Sequence, residues 1–331
     1  MKALFIDKPG SAAVRSVPRP SPGPRDVVID VAACGICGTD VHIYRGEYLG
    51  TYPVTPGHEL SGTVASVGSE VSRFRPGDRV TVEPNVACNN CPACLSNRQN
   101  FCENWKGIGV TLPGGFAEAV CAPENAVFGI GELPFPSAAF VEPLSCVLHG
   151  MQRLDPSPAD RLLIVGAGPI GNLLMKTALL MGSSDITVVD RSESRRNLAK
   201  SEGAGTVHAS VDELAADVYD AVIDATGVPA LMERATTWVR PGGRILLFGV
   251  PPSGSRVSID AFAVFRKGLT LLSSYTSVRN SLQAVRLLSE GRIDVKRLVS
   301  HELPLSEFAR GVGLIETGAQ GVLKILLTPG R

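Results

Sequence analysis

The rhythm of hydrophobic and polar positions changes twice along this chain. Up to about residue 148, short runs such as "DVVIDVAA", "SGTVASVG" and "DRVTVEP" are punctuated by Gly and Pro and show little helical periodicity, which predicts a mostly β domain. After residue 160 the apolar runs "RLLIVGAGPIG", "DITVVD", "YDAVIDATG", "GRILLFGV" and "LTLLSSY" are spaced by helical stretches such as "NLLMKTALLMG" and "RRNLAKSEG". Continuous apolar strands with helical crossovers predict a parallel sheet covered on both faces. From about residue 276 the pattern is mixed again, with a helical "SLQAVRLLSEG" and a last strand in "GVLKILL", and this tail is expected to rejoin the first domain. The expected organisation is therefore α/β with two domains, 1–148 with 276–331 and 149–275. The Pro-rich "SVPRPSPGPRD" reads as an extended surface connection, and there is no internal repeat.

Composition agrees with this division. A chain of 331 residues, 44% of them hydrophobic, can bury two cores of ordinary size. Thirty-two basic residues balance 32 acidic ones, so no global charge draws the molecule to phosphate backbones or anionic lipid, and neither nucleic acid nor membrane is an expected partner. The opening "MKALFIDKPG" is broken by Asp7 and Lys8, too early for a signal-peptide core, and no later run reaches bilayer-spanning length. A cytoplasmic location is expected. Eight cysteines, four of them between Cys88 and Cys102, suit metal binding in a reducing compartment better than a disulfide framework.

Chemistry concentrates in three places. "LIVGAGPIG" puts Gly166, Gly168 and Gly171 after a strand and at the start of a helix, and Asp190 closes the next strand. Such glycines allow a tight turn and close approach of backbone to a pyrophosphate, the helix N-terminus favours the negative charge, and a carboxylate at Asp190 suits ribose hydroxyls. Asp190 would repel a 2′-phosphate and so favours NAD over NADP; Arg191, Arg195 and Arg196 could instead bind that phosphate or simply be solvated.

"ACNNCPACLSNRQNFC" carries Cys88, Cys91, Cys94 and Cys102, a spacing that can close a tetrahedral all-thiolate shell around a structural zinc. A four-iron cluster competes, but the fourth cysteine lies at the wrong spacing and no proline follows it. The third place is distributed. "CGICGTDVHIYRG" holds Cys34, Cys37, Thr39, Asp40 and His42; "TPGHELSG" holds His58 and Glu59; "FVEPLSCVLHG" holds Glu142 and Cys146 one helical turn apart. These are ligand types that zinc accepts, but each segment alone could be ordinary loop chemistry.

In this order, "CGICGTDVH", "GHELSGTV", "GDRVTVEP", the four-cysteine lobe, "GGFAEAV", "VEPLSC", "VGAGPIG", "VVD", "DATG", "GGRILLFG" and "GVLKILL" resemble the zinc-dependent medium-chain alcohol and polyol dehydrogenases, over nearly the whole chain. "VEPLSC" is most similar to the sorbitol, xylitol and arabitol dehydrogenase branch. The resemblance implies a GroES-like catalytic domain beside a Rossmann domain, and two zinc ions per chain. It implies a catalytic zinc on Cys37 and His58, with Glu59 and Glu142 as further ligands, direct or through water; Cys146 is a minor candidate, and Cys34 and Cys121 are packed thiols. It gives Thr39 a proton-relaying hydroxyl with His42 as outer acceptor, and it lays Ile170, Asp190, Arg195, Phe248, Gly249, Val250, Ser273, Ser274 and Tyr275 along the cofactor.

The reaction so implied is NAD-dependent oxidation of a secondary alcohol of a polyol or cyclitol to the ketone. Ile43 and Ser274 stand where sorbitol dehydrogenases typically carry tyrosine and arginine, which weakens sorbitol as substrate. Two other readings stand beside it: a dehydrogenase of a phosphorylated polyol, with Arg279 or Lys267 on the phosphate, and a non-catalytic NAD-binding redox sensor. A homotetramer or homodimer is expected from the resemblance alone.

Overall fold

The computed structural model describes residues 1–48 and 51–330. The apolar run after Asp26 becomes the ten-residue strand Asp26–Gly35, with Val27, Val28 and Ile29 buried, and this strand is the spine of a seven-stranded sheet. Along the sheet the order is Val299–Leu303, Lys324–Leu327, Asp26–Gly35, Glu59–Val67, Arg79–Val82 and Val127–Gly129, with Ala119–Pro123 also pairing to Asp26–Gly35. Its core gathers Leu4, Ile29, Leu60, Phe116, Phe308 and Ile325. The two C-terminal strands thus complete a sheet begun by the N-terminal third, and the chain divides into Met1–Ser145 with Thr276–Arg331, and Cys146–Tyr275. The first crossing falls inside the helix Val141–Leu154, ahead of residue 148, because the helix continues through it unbroken.

In the second unit six strands are paired in parallel: Thr206–His208, Asp185–Val189, Arg161–Val165, Tyr219–Asp224, Val239–Leu247 and Thr270–Ser273. Their registers align Val189 with Val165, Val165 with Asp224, Asp224 with Leu247 and Leu247 with Ser273. The strands therefore end in one row, and the loops after them share one edge of the sheet. Helices Pro169–Leu180, Glu193–Ser201, Pro229–Trp238 and Ala261–Lys267 connect the strands. Trp238, Tyr219 and Val222 anchor a core against Leu163 and Ile245. Among the described residues no helix is long and apolar enough to cross a membrane.

The first unit departs from a purely β reading at Gly38–Arg45, a helix that follows directly on Cys37. Only Val41 and Ile43 are its buried apolar residues, too few for a periodic signal. Asp40 starts it: its carboxylate accepts from the Cys37 N–H at 2.8 Å, satisfying one of the donors that a helix N-terminus leaves open.

Candidate active site

Strand register assembles the first cluster. Gly35 pairs with Glu59, so the end of one strand, two residues before Cys37, lies beside the start of the next, where His58 and Glu59 sit. The close approach requires glycine, since a Cβ at Gly35 would lie 2.1 Å from Glu59 Oε2. Ligand atoms of Cys37, His58 and Glu59 lie within 4.8 Å of one another, His58 and Glu59 being buried. A soft thiolate, an imidazole and a carboxylate converging this tightly fit a zinc ion.

Two buried charged residues fix the cluster. Asp40 is fully buried; it accepts from Cys37 N and, at 3.1 Å, from Gly57 N, and it stands 3.5 Å from His58 Nδ1. One carboxylate therefore ties the two ligand-bearing loops together and orients the imidazole, the outer-shell role that metal-bound histidines commonly need. Burial works to lower the His58 pKa, but the charge of Asp40, 3.5 Å from Nδ1, and the neighbouring Cys37 outweigh it and raise it well above the ordinary value. On the other side, Lys324 Nζ donates to both oxygens of Glu59 at 2.7 Å and to the Ile36 carbonyl at 3.2 Å. Burial disfavours that ammonium, yet Glu59 and Cys37 hold its pKa above the usual value, with Glu142 adding to the effect. Asp40 was legible as one of the zinc-type side chains of "CGICGTDVHIYRG" but not as the organiser of the cluster, and the signal for Lys324 was a lysine inside the apolar "GVLKILL".

The remaining candidates separate. Glu142, buried in the first turn of Val141–Leu154, is not in the group of three, although its charge acts on Lys324. Cys34 packs in the core, its pKa raised well above normal by burial, which keeps it an inert thiol, and Cys121 is pushed up to about 11 by burial. Thr39 and His42 lie three apart on one helix, the spacing at which side chains neighbour, and His42 Nδ1 pairs with Glu47 Oε2 at 2.9 Å. The phosphate contacts of the phosphorylated-polyol reading are otherwise engaged. Lys267 Nζ donates to the carbonyls of Thr236 at 2.7 Å and Val239 at 3.3 Å and pairs with Asp217. With the Gln99 amide turned so that its oxygen faces the guanidinium, Arg279 donates to that oxygen through Nη2 and Nε, both at 2.7 Å.

The second cluster is local. Cys88, Cys91, Cys94 and Cys102 sit around the short helix Pro92–Leu95 and a single turn, Gln99–Phe101. Sulfur separations are 4.0 Å for Cys88 and Cys94, 3.9 Å for Cys91 and Cys102, and 3.5 Å for Cys102 and Cys88. Zinc–sulfur bonds of about 2.3 Å give a tetrahedron with edges of about 3.8 Å, so the four sulfurs already stand at zinc spacing. The backbone N–H of Asn90 pulls the Cys88 thiol down to about 6, whereas burial pushes Cys94 up to about 12. Four thiols this close would ionise together only around a bound cation.

In the second unit the row of strand ends collects every residue assigned to the cofactor. Gly166, Gly168, Ile170 and Gly171 form the turn from Arg161–Val165 into Pro169–Leu180, and a Cβ at Gly171 would lie 1.8 Å from the Gly166 carbonyl oxygen. Asp190 follows the neighbouring strand; its carboxylate accepts from Ala167 N and Ser192 N, each at 2.8 Å, with Arg195 Nη1 at 3.9 Å. Arg196 Nη1 donates instead to the carbonyls of Asp190 and Arg191. Phe248 and Gly249 donate their N–H groups to the Asp224 carbonyl at 3.0 and 2.9 Å, and Val250 is exposed. Ser273 ends the edge strand, Ser274 Oγ lies 3.4 Å from His149 Nδ1, and Tyr275 closes the unit. Loops at the carboxyl ends of parallel strands are where such sheets bind dinucleotides.

Comparison with known proteins agrees with these two halves. Residues 23–132 match the alcohol dehydrogenase GroES-like domain and residues 169–290 the zinc-binding dehydrogenase domain. The chain is 38% identical over 310 residues to a D-altritol 5-dehydrogenase of Agrobacterium fabrum, covering 92% of each. It is 30% identical to D-arabinitol dehydrogenase 1 of Uromyces fabae, covering 99% of this chain and 97% of that one. Among solved structures, a zinc-binding dehydrogenase of Sinorhizobium meliloti 1021 bound to NADP superposes with a TM-score of 0.94 at 35% identity, covering 99% of both chains. This chain belongs to the zinc-dependent medium-chain alcohol and polyol dehydrogenases.

Proposed function

We propose that the protein oxidises a secondary alcohol of a polyol or cyclitol to the ketone with NAD as hydride acceptor, using one zinc at Cys37 and His58, with a second zinc in the four-cysteine lobe. The observation that carries this is the convergence of Cys37, His58 and Glu59 within 4.8 Å, braced by Asp40 and Lys324. Zinc at that cluster would supply the Lewis acidity that makes an alcohol hydroxyl acidic near neutral pH, and a bound nicotinamide would supply the hydride acceptor.

The chain's own residues do the rest. Cys37 and His58 would hold the ion, and Asp40, 3.5 Å from His58 Nδ1, orients the imidazole. Glu59, gripped through both oxygens by Lys324, is a reserve ligand, which leaves Glu142 or water to complete the shell. Thr39 takes the substrate proton and His42 passes it outward, with Glu47 orienting the imidazole. Glycines 166, 168 and 171 admit the pyrophosphate, and Ile170, Arg195, Phe248, Gly249, Val250 and Ser273 to Tyr275 border the rest of the dinucleotide. Asp190 meets the ribose hydroxyls; with Arg196 spent on carbonyls, its negative charge disfavours a 2′-phosphate, which supports NAD although the Sinorhizobium relative holds NADP. Polyols are favoured because the altritol relative shares 38% identity with the chain over 92% of its length.

The test is NADH fluorescence during turnover of a polyol and cyclitol panel, run in parallel with NADP. Turnover of at least one polyol with NAD preferred is expected. No turnover across the panel would favour a nucleotide-binding sensor, and a preference for NADP would show that Arg195, not Asp190, decides.

A further inference from the structure

Asn172 sits where the helix after the glycine loop should want an apolar residue. It is the fourth residue of Pro169–Leu180, is followed by the buried Leu173 and Leu174, and is itself 1% exposed. Asparagine is a poor helix former, and an amide buried among leucines must find partners for its donors and acceptor. Its donors are satisfied: Nδ2 donates to the Ala167 carbonyl at 2.7 Å and to the Gly168 carbonyl at 3.1 Å. Its Oδ1 is buried without a hydrogen bond. The two carbonyls fix which way the amide is turned, and the unmet oxygen is a standing cost tolerated for what the donors do.

The donors act on the peptide that matters most. In a planar trans peptide C=O and N–H point in opposite directions, so holding the Ala167 carbonyl on the Asn172 side turns the Gly168 N–H to the other side of the loop. The preceding peptide is held as well, because Ala167 N–H donates to Asp190. Residue 169 is proline and offers no N–H, so Gly168 is the last amide donor before Ile170. We infer that Asn172 is a positioning residue for the dinucleotide pyrophosphate: it locks the glycine loop with the Gly168 N–H presented to the phosphate, and so sets nucleotide affinity without touching the nucleotide. The inference rests on the reading that a nicotinamide dinucleotide binds this loop. It applies equally to NAD and NADP, since both carry the pyrophosphate.

The experiment titrates NADH and NADPH into full-length wild type, Asn172→Leu and Asn172→Asp at pH 6 and pH 8, and measures turnover at saturating coenzyme. Asn172→Leu keeps the volume and favours the helix but has no donor; it should raise the dissociation constant about tenfold or more while kcat at saturation stays within about threefold. Asn172→Asp, nearly isosteric, should bind worse still at pH 8, where it has no donor and adds a negative charge, and should recover part of the loss at pH 6, relative to wild type, as the buried carboxyl takes up a proton. Wild-type affinity in Asn172→Leu, or in Asn172→Asp at pH 8, would overturn the inference. If wild type bound neither coenzyme, the cofactor reading itself would fail and this inference with it.

Discussion

The two ligand clusters of the first unit use overlapping chemistry in opposite ways. The lobe draws four thiols from one short stretch, Cys88 to Cys102, with sulfurs hydrogen-bonded to one another and to nearby backbone. The other draws Cys37 and His58 from separate loops and sets them in a buried lattice of charge that includes Asp40, Glu59 and a lysine from the last strand. A closed shell of identical ligands has nothing left to offer a substrate, whereas a mixed, asymmetric shell with a reserve carboxylate can keep a position open. On the proposed function the difference has a meaning: one cluster would hold its metal and the other would work with it.

Substitutions can break that comparison. The largest effect is expected at Cys37→Ala, where turnover should fall below detection while NADH affinity stays close to wild type, because the glycine loop belongs to the other unit. Undiminished turnover would remove the zinc mechanism. Next comes Lys324→Met, which strands the Glu59 carboxylate in the core. Losing one partner of a buried pair typically costs about 3–5 kcal/mol, and Lys324→Met combined with Glu59→Leu should restore most of it in denaturant unfolding. If the single variant were as stable as wild type, the brace would not exist.

His42→Ala should lower kcat on the order of ten- to a hundredfold, most at low pH where a base is most needed, since solvent can still take the outer proton. A pH–rate profile indistinguishable from wild type would leave His42 outside the relay. The smallest effect on chemistry is expected at Cys94→Ser, which should lower the melting temperature clearly but change activity per folded molecule by less than about threefold. A large loss of kcat without a loss of stability would reverse the roles of the two clusters.

How much of this was legible in the sequence follows from how local each feature is. The four cysteines could be read together because their ligand geometry is decided within one loop. The glycine turn could be read because strand, turn, helix and acid fall in one βαβ unit. Cys37 and His58 were legible through the order of motifs, not through spacing, since strand register brings them together. The partnership of Lys324 with Glu59, 265 residues apart, depends on the register in which the tail strand pairs with the first sheet, and no local pattern encodes that register. Glu142 was set among the candidate metal ligands by the resemblance, direct or through water, and its charge acts on Lys324 beside the cluster. Lys267 and Arg279, plausible on charge alone as phosphate contacts, are taken up by carbonyls, Asp217 and Gln99, partners that only the folded chain supplies.

The most direct test of the central claim follows zinc and turnover together. Purified protein is exposed to excess chelator while released zinc is counted by a colorimetric indicator and polyol oxidation is sampled at each time. Two equivalents per chain are expected, one leaving early in step with the loss of turnover and one held until the fold begins to open. A single equivalent, release of both at one rate, or turnover that survives loss of the first would contradict the account.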